Sequence, residues 1–149
     1  MAVIRITRPV PRPAEEIWPR VTDWPAHAAQ VPLTSITVVT PPPPGVGTVF
    51  VARTGLGRVG FDDPMEVVRW EPPVEGGTGR LRLEKRGRVI RGWAEIEVRP
   101  EGSGSVVVWV EELWIRLLPR LFDPLVRRVG RLVFGRALDG LLAGRARSR

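Results

Sequence analysis

The 149-residue chain contains no cysteine and no tyrosine, and it has one histidine, His27, and one lysine, Lys85. Without cysteine, disulfide frameworks, thiolate nucleophiles and Cys-ligated zinc are excluded, and the composition fits a reducing cytoplasm. A Ser-His-Asp triad has only His27 to run through, and a multi-histidine metal site cannot be built. The phosphate-loop sequence Gly-x-x-x-x-Gly-Lys-Ser/Thr is missing, so nucleotide phosphate binding is not expected. No metal and no cofactor are expected. The longest unbroken apolar run is Val106-Val107-Val108-Trp109-Val110, far short of the roughly 20 residues a membrane-crossing helix needs. The start of the chain, Met1 to Arg8, alternates apolar and polar residues and so argues against a secretory signal.

What is present suits one soluble globular domain over residues 1–149, since 43% of residues are hydrophobic and 26% charged. Residues 1–115 carry equal numbers of cations and anions. The whole net charge of +7 therefore lies in residues 116–149, where nine arginines face only Asp123 and Asp139. A basic terminal segment suits an anionic membrane surface better than it argues for nucleic acid, which is not expected as a partner; a homodimer is a further possibility. The plainer explanation is a chain rich in Arg, Pro, Gly, Ala and Val in which some arginines only solubilise.

Val3 to Arg8 alternates as a half-buried strand should and ends at Pro9 and Pro11. Pro13-Ala14-Glu15-Glu16-Ile17-Trp18 reads as a helix start with acids at the positive end of the dipole. Ile17, Trp18 and Val21 form its apolar stripe, and a second short helix is expected over 26–30. Strands are expected over 34–40, 46–54, 59–70, 78–86, 89–99 and 105–117, separated by Gly- and Pro-rich turns, which makes an antiparallel meander the simplest arrangement. Asp62-Asp63-Pro64 reads as a break or bulge. After Pro119, Phe122, Leu125, Val126, Val129, Leu132, Val133 and Ala137 gather on one side of a long helix at 100° per residue. Arg120, Arg127 and Arg131 lie opposite, Phe134 and Leu138 project from that basic face, and Arg136 falls inside the apolar stripe. Gly130, Gly135 and Gly140 each weaken the helix by about 1 kcal/mol relative to alanine, so it has to depend on tertiary packing. Residues 144–149 read as a frayed basic tail.

Four segments carry a family resemblance: Pro13 to Trp18 leading to Asp23-Trp24; Pro44-Gly45-Val46-Gly47-Thr48 before a strand; Met65 to Pro73; and Gly92 to Pro100 followed by Val107-Val108-Trp109-Val110-Glu111. In this order and spacing the chain resembles the START/pollen-allergen-like helix-grip superfamily (SRPBCC), in its polyketide cyclase/dehydrase and lipid-transport-like branch. The resemblance implies an α+β helix-grip fold: a curved seven-stranded antiparallel sheet wrapped around a long C-terminal helix, with two short helices between strands 1 and 2. It also implies a cavity between sheet and helix for a small hydrophobic molecule such as a lipid or polyketide. It carries over no catalytic residue.

The residues expected to face inward, as cavity wall or as closed core, are Phe50, Phe61, Met65, Val67, Leu81, Leu83, Ile96, Trp109, Leu113, Phe122, Val126, Val129 and Val133. Trp18 is expected in the core of the first helix, with Trp24 beside a cavity mouth and Trp93 partly exposed. A guanidinium is costly to bury unpaired, so Arg136 requires a partner or an escape to solvent. Glu111 shares the alternation of Trp109 and Leu113, points inward, and is the candidate partner. Arg136, Glu111 and Asp63 are the candidates to polarise or protonate the substrate if the chain is a cyclase or dehydratase; His27 is expected at the surface. Three functions follow: binding or carriage of a small hydrophobic molecule, cyclisation or dehydration of a polyketide-like substrate, or an interaction module built on the basic helix.

Overall fold

The computed structural model describes residues 2–144. Strand β1 (Ala2–Val10) leads into α1 (Ala14–Val21) and α2 (Trp24–Gln30). Six strands follow: β2 (Thr34–Val38), β3 (Val49–Leu56), β4 (Val59–Glu71), β5 (Gly79–Arg86), β6 (Ile90–Glu101) and β7 (Gly104–Ile115). A single 3-10 turn (Arg120–Phe122) opens the last helix, α3 (Asp123–Leu142). The strands form one antiparallel sheet in the order β1-β7-β6-β5-β4-β3-β2. Only β1 and β2, joined through the helical pair, are out of meander order, so the two edges are the strands flanking α1 and α2. This is the expected helix-grip arrangement. Residues 145–149 of the expected frayed tail lie outside the described residues, and among the described residues no helix is long and apolar enough to cross a membrane.

Local chemistry accounts for the elements. In α1, Glu15 and Glu16 occupy the first turn while Ala14, Ile17, Trp18 and Val21 are buried. Asp23 starts α2 by accepting a hydrogen bond from the Ala26 N–H at 3.2 Å, so this helix begins at Trp24, two residues before the expected start. Strand β3 begins at Val49, because Gly45 to Thr48 form a turn in which Thr48 Oγ accepts from the Gly45 N–H at 2.9 Å. The string Gly55-Leu56-Gly57-Arg58-Val59-Gly60 has the Gly-x-Gly-x-x-Gly pattern. It is the tip of the β3–β4 hairpin, with Leu56 opposite Val59, and so lacks the strand-to-helix setting of a nucleotide site.

One expectation about backbone irregularity is corrected. Asp62-Asp63-Pro64 does not break β4, since all three residues keep their register opposite Arg53, Ala52 and Val51. Pro64 is tolerated because pairing on the other side of β4 runs only as far as Met65–Lys85. The register shift lies instead between Val67 and Arg69. Gly92 in β6 adopts φ +134°, and a Cβ there would run into the Glu112 carbonyl of β7, so only glycine fits this kink.

The orientation of α3 is the largest correction. Its buried residues are Gly130, Gly135, Ala137, Leu138 and Leu141. Gly130 sits against Ile4 of β1 and Gly140 against Gln30, each where a Cβ would collide. The helix approaches its neighbours through small residues, and its phase follows them rather than the leucines. Arg8 of β1 pairs with Asp139 at 2.8 Å, and Arg20 of α1 donates to the Leu142 carbonyl, fixing the C-terminal half. Leu138 is fully buried and Phe134 packs against the core, whereas Phe122, Leu125, Val129 and Leu132 are exposed. The interaction face imagined around Phe134 and Leu138 is therefore not at the surface.

Candidate functional site

A cavity of about 220 Å³ lies between the sheet and the two helices α2 and α3. Every second residue of a strand faces one side of the sheet, and this alternation supplies most of the wall. Phe50 comes from β3, Phe61 and Met65 from β4, Leu83 from β5, Ile96 from β6, and Trp109 and Leu113 from β7; Val133, Phe134 and Ala137 close it from α3. Trp24 and His27 of α2 complete the roof. Trp24 stacks on Phe50 at 4.6 Å between centroids, and Trp109 has the His27 and Phe134 rings each at 5.5 Å.

The other inward candidates lie elsewhere. Val67 and Leu81 are in the closed core at 0% and 1% exposure. There they pack alongside Trp18, whose ring meets Trp70 edge-on at 5.3 Å. Phe122 and Val129 face solvent, whereas Val126 packs against the core and also borders a separate shallow groove with Leu113 and Trp114. Trp93 is half-buried on the outer face, donating to Glu112 at 3.1 Å beneath the Arg82 guanidinium.

One charged cluster interrupts the apolar wall. Lys85 continues the inward alternation of Leu81 and Leu83 along β5, and its Nζ lies 2.7 Å from Asp63 Oδ2 and 3.4 Å from Glu111 Oε1. A further contact, at 3.6 Å, goes to Met65 Sδ. The lysine reaches both acids because the strand between β5 and β7 presents only Gly92 and Ala94 at these positions: Lys85 is opposite Gly92, and Ala94 is opposite Glu111. The side chains of Lys85, Asp63 and Glu111 are 5%, 10% and 3% exposed. Arg136 is not part of this cluster. It lies on the exposed side of α3, and Lys85 takes the place beside Glu111 that Arg136 was expected to fill.

Burial sets the electrostatics. It pushes the Glu111 carboxyl above its ordinary range; Lys85 pulls it back only in part, and the Asp63 charge pushes it further up. Trp109 adds a weaker downward pull, although its indole N–H completes no hydrogen bond. Burial alone would lower the Lys85 ammonium, but Glu111 and Asp63 outweigh it and hold it above its usual value. His27 is corrected from a surface residue to a cavity residue: its ring is enclosed between Trp24 and Trp109 although the residue as a whole is half-exposed. Its Nε2–H donates to the Val21 carbonyl at 2.7 Å. Burial lowers its pKa despite opposing pulls from that carbonyl and from Asp23, so the imidazole is neutral with the proton on Nε2.

Chemically, the site offers an aromatic slot and a buried Lys–carboxylate cluster in which Asp63 Oδ1 and Glu111 Oε2 have no hydrogen-bond partner. The sequence reading named Asp63 and Glu111 as candidates and set Trp24 beside the cavity mouth; it did not bring Lys85 to the cavity, and it left His27 at the surface. The signal for Lys85 was available: a lone lysine in an arginine-rich chain, standing third in an apolar alternation.

Solved structures share this architecture. TTHA0849 from Thermus thermophilus superposes with a TM-score of 0.66 at 19% identity, covering 97% of this chain and 99% of its own. The Zhui aromatase/cyclase from Streptomyces sp. R1128 gives 0.64 at 14%, covering 95% and 92%. Norcoclaurine synthase from Thalictrum flavum gives 0.62 at 18%, covering 95% and 94%. At these identities the likeness is one of fold. No curated protein sequence matches the chain. Over residues 1–143 it matches the family described as polyketide cyclase / dehydrase and lipid transport, and it belongs to that family.

Proposed function

We propose that this protein binds a small, largely hydrophobic molecule in the cavity between the sheet and helices α2 and α3. The carrying observation is the cavity itself: about 220 Å³, walled by aromatic and aliphatic side chains, with its charges confined to one cluster. An apolar void of about 150 Å³ already accepts benzene, so a guest of two fused rings is of suitable size. Filling this space with a guest restores the dispersion contacts and water exclusion that the fold forgoes there.

The test is titration with the neutral fluorescent probe N-phenyl-1-naphthylamine, alongside native mass spectrometry of the purified chain. One-to-one binding is expected, with stabilisation of about 2.7 kcal/mol at a hundredfold excess over Kd. Ala52→Phe, which places a ring in the cavity from β3, is expected to weaken binding at least about tenfold while leaving the fold intact. Equal binding by the wild type and this variant would place the probe elsewhere and remove the proposal.

One observation favours a second reading, acid–base turnover of a polyketide-like substrate as a cyclase or dehydratase. Glu111 is buried at the cavity with a raised pKa, within reach of Lys85 and beside Asp63, which sets a proton donor near an acceptor. Conversion of a poly-β-ketone substrate by the wild type and its loss in Glu111→Gln, with probe binding retained, would support turnover. Absence of any conversion leaves binding alone.

A further inference from the structure

Among the described residues, four buried polar atoms lack a hydrogen-bond partner, and all belong to residues lining this cavity: Asp63 Oδ1, Glu111 Oε2, and the indole N–H groups of Trp24 and Trp109. Unpaired buried polar atoms are rare because each forfeits its hydration without replacement. The Lys85 ammonium is not among these atoms: it donates to Asp63 Oδ2 at 2.7 Å and to the Met65 sulfur at 3.6 Å, and it is ion-paired with Glu111 at 3.4 Å. The unmet valences are thus carboxyl oxygens and indole donors, with no free cation among them.

We infer that the cavity selects a guest bearing a neutral hydroxyl group, an alcohol or phenol, seated at Asp63 and Glu111 with a flat apolar body against Trp24, Phe50 and Trp109. This rests on the hydrophobic-guest reading and specifies the polar end of the guest. A hydroxyl both donates and accepts, so it can give its hydrogen to a carboxyl oxygen and take one from an indole N–H. A hydrocarbon leaves all four atoms unpaired. A carboxylate or phosphate brings a further negative charge beside two acids that already share one cation, Lys85. An ammonium satisfies a carboxylate but cannot accept from an indole, and it would be stripped of water beside the Lys85 charge.

The experiment is calorimetric titration of the full chain with four probes sharing one skeleton: naphthalene, 2-naphthol, 2-naphthoate and 2-naphthylmethylamine. The expected order places 2-naphthol about tenfold tighter than naphthalene, the gain of a hydrogen bond to a charged acceptor, with naphthoate weakest and the amine below the naphthol. In a variant combining Asp63→Leu, Lys85→Met and Glu111→Leu, the two neutral probes are expected to bind within about twofold of each other. Replacing a whole buried charge cluster by apolar residues is commonly tolerated. If that variant does not fold, the wild-type order alone decides. Naphthoate or the amine binding as tightly as naphthol, naphthol no tighter than naphthalene, or a naphthol preference that survives in the triple variant would each overturn the inference and leave the hydrophobic-guest reading standing. Failure of all four probes to bind would bring down that reading itself.

Discussion

Strand β5 carries ion pairs on both of its faces, and the two sets have opposite physical characters. Outward, Arg80 pairs with Glu97 at 3.2 Å, Arg82 with Glu95 at 2.6 Å and Arg86 with Glu66 at 3.1 Å, all with side chains 30–52% exposed. Inward, Lys85 meets Asp63 and Glu111 with no side chain more than 10% exposed. In water the outer pairs gain little over separately hydrated ions, so each is worth about 0–1 kcal/mol. Inside, the same chemistry carries a desolvation penalty that attraction barely offsets, and losing one partner leaves an uncompensated charge. Three carboxyl–cation ladders on the outside therefore serve solubility, while one inside is a liability unless it serves a guest.

The comparison breaks most visibly at Lys85. Lys85→Met strands two buried carboxyl groups and is expected to destabilise the chain by about 3–5 kcal/mol, read as a fall in urea midpoint at unchanged slope. The triple replacement described above removes the cluster whole and is expected to stay within about 1–2 kcal/mol of the wild type. A Lys85→Met variant as stable as the wild type would show that the cluster is hydrated rather than buried. Next in size is Ala94→Leu, which thrusts a side chain into the gap through which Lys85 reaches Glu111. Overpacking there should cost about 1–3 kcal/mol and abolish any hydroxyl preference, whereas an unchanged stability would mean that the gap is not confined.

These contrasts also explain how far the sequence could be read. The meander, the helical pair and the final helix all announced themselves through alternation, turn glycines and prolines, because those signals are local. The inward face of β5 was legible as Leu81 and Leu83 against Arg80, Arg82 and Glu84. The reading stopped one step short of Lys85 because a cation normally marks the wet face. Helix α3 was misphased for a different reason. Leucine and valine gather on one side of its first half, yet Leu125, Val129 and Leu132 face solvent, so hydrophobicity alone chooses the wrong side. Close approach through Gly130 and Ala137 sets the phase instead, and that depends on Ile4, more than 100 residues away in the chain. His27 was likewise hidden: nothing in Pro25-Ala26-His27-Ala28 shows that two tryptophans will enclose it. The residues misassigned are those whose environment is made by distant strands.

A titration sharpens the inner half of the comparison. Because Glu111 is held above its ordinary value of 4.5, the folded chain keeps a proton that the unfolded chain releases. Its contribution is full below pH 4.5 and falls as pH rises through the native value. The stability difference, wild type minus Glu111→Gln, is therefore expected to decline as pH rises from about 4.5. His27, with its pKa lowered from 6.5, acts in the other sense: its contribution is present above pH 6.5 and is lost as pH falls toward the native value. It is common to both proteins and cancels in the difference. Lys85, raised from 10.5, loses its contribution only at more alkaline pH. Parallel stability profiles from pH 4 to pH 9 would contradict the burial of Glu111.

The smallest expected effect belongs to the outer face. Arg80→Gln removes one half of the Arg80–Glu97 pair, whose side chains are 45% and 30% exposed. The released carboxylate regains water, and the glutamine still covers the strand. The change should therefore be below about 1 kcal/mol at low salt and should vanish near 1 M salt, where charges are screened within about 3 Å. Lys85→Met should keep most of its cost at that salt, since ions do not enter the cavity to screen it. If both variants responded to salt alike, inner and outer pairs would be the same kind of interaction, and the enclosure of the Asp63–Lys85–Glu111 cluster would lose its physical meaning.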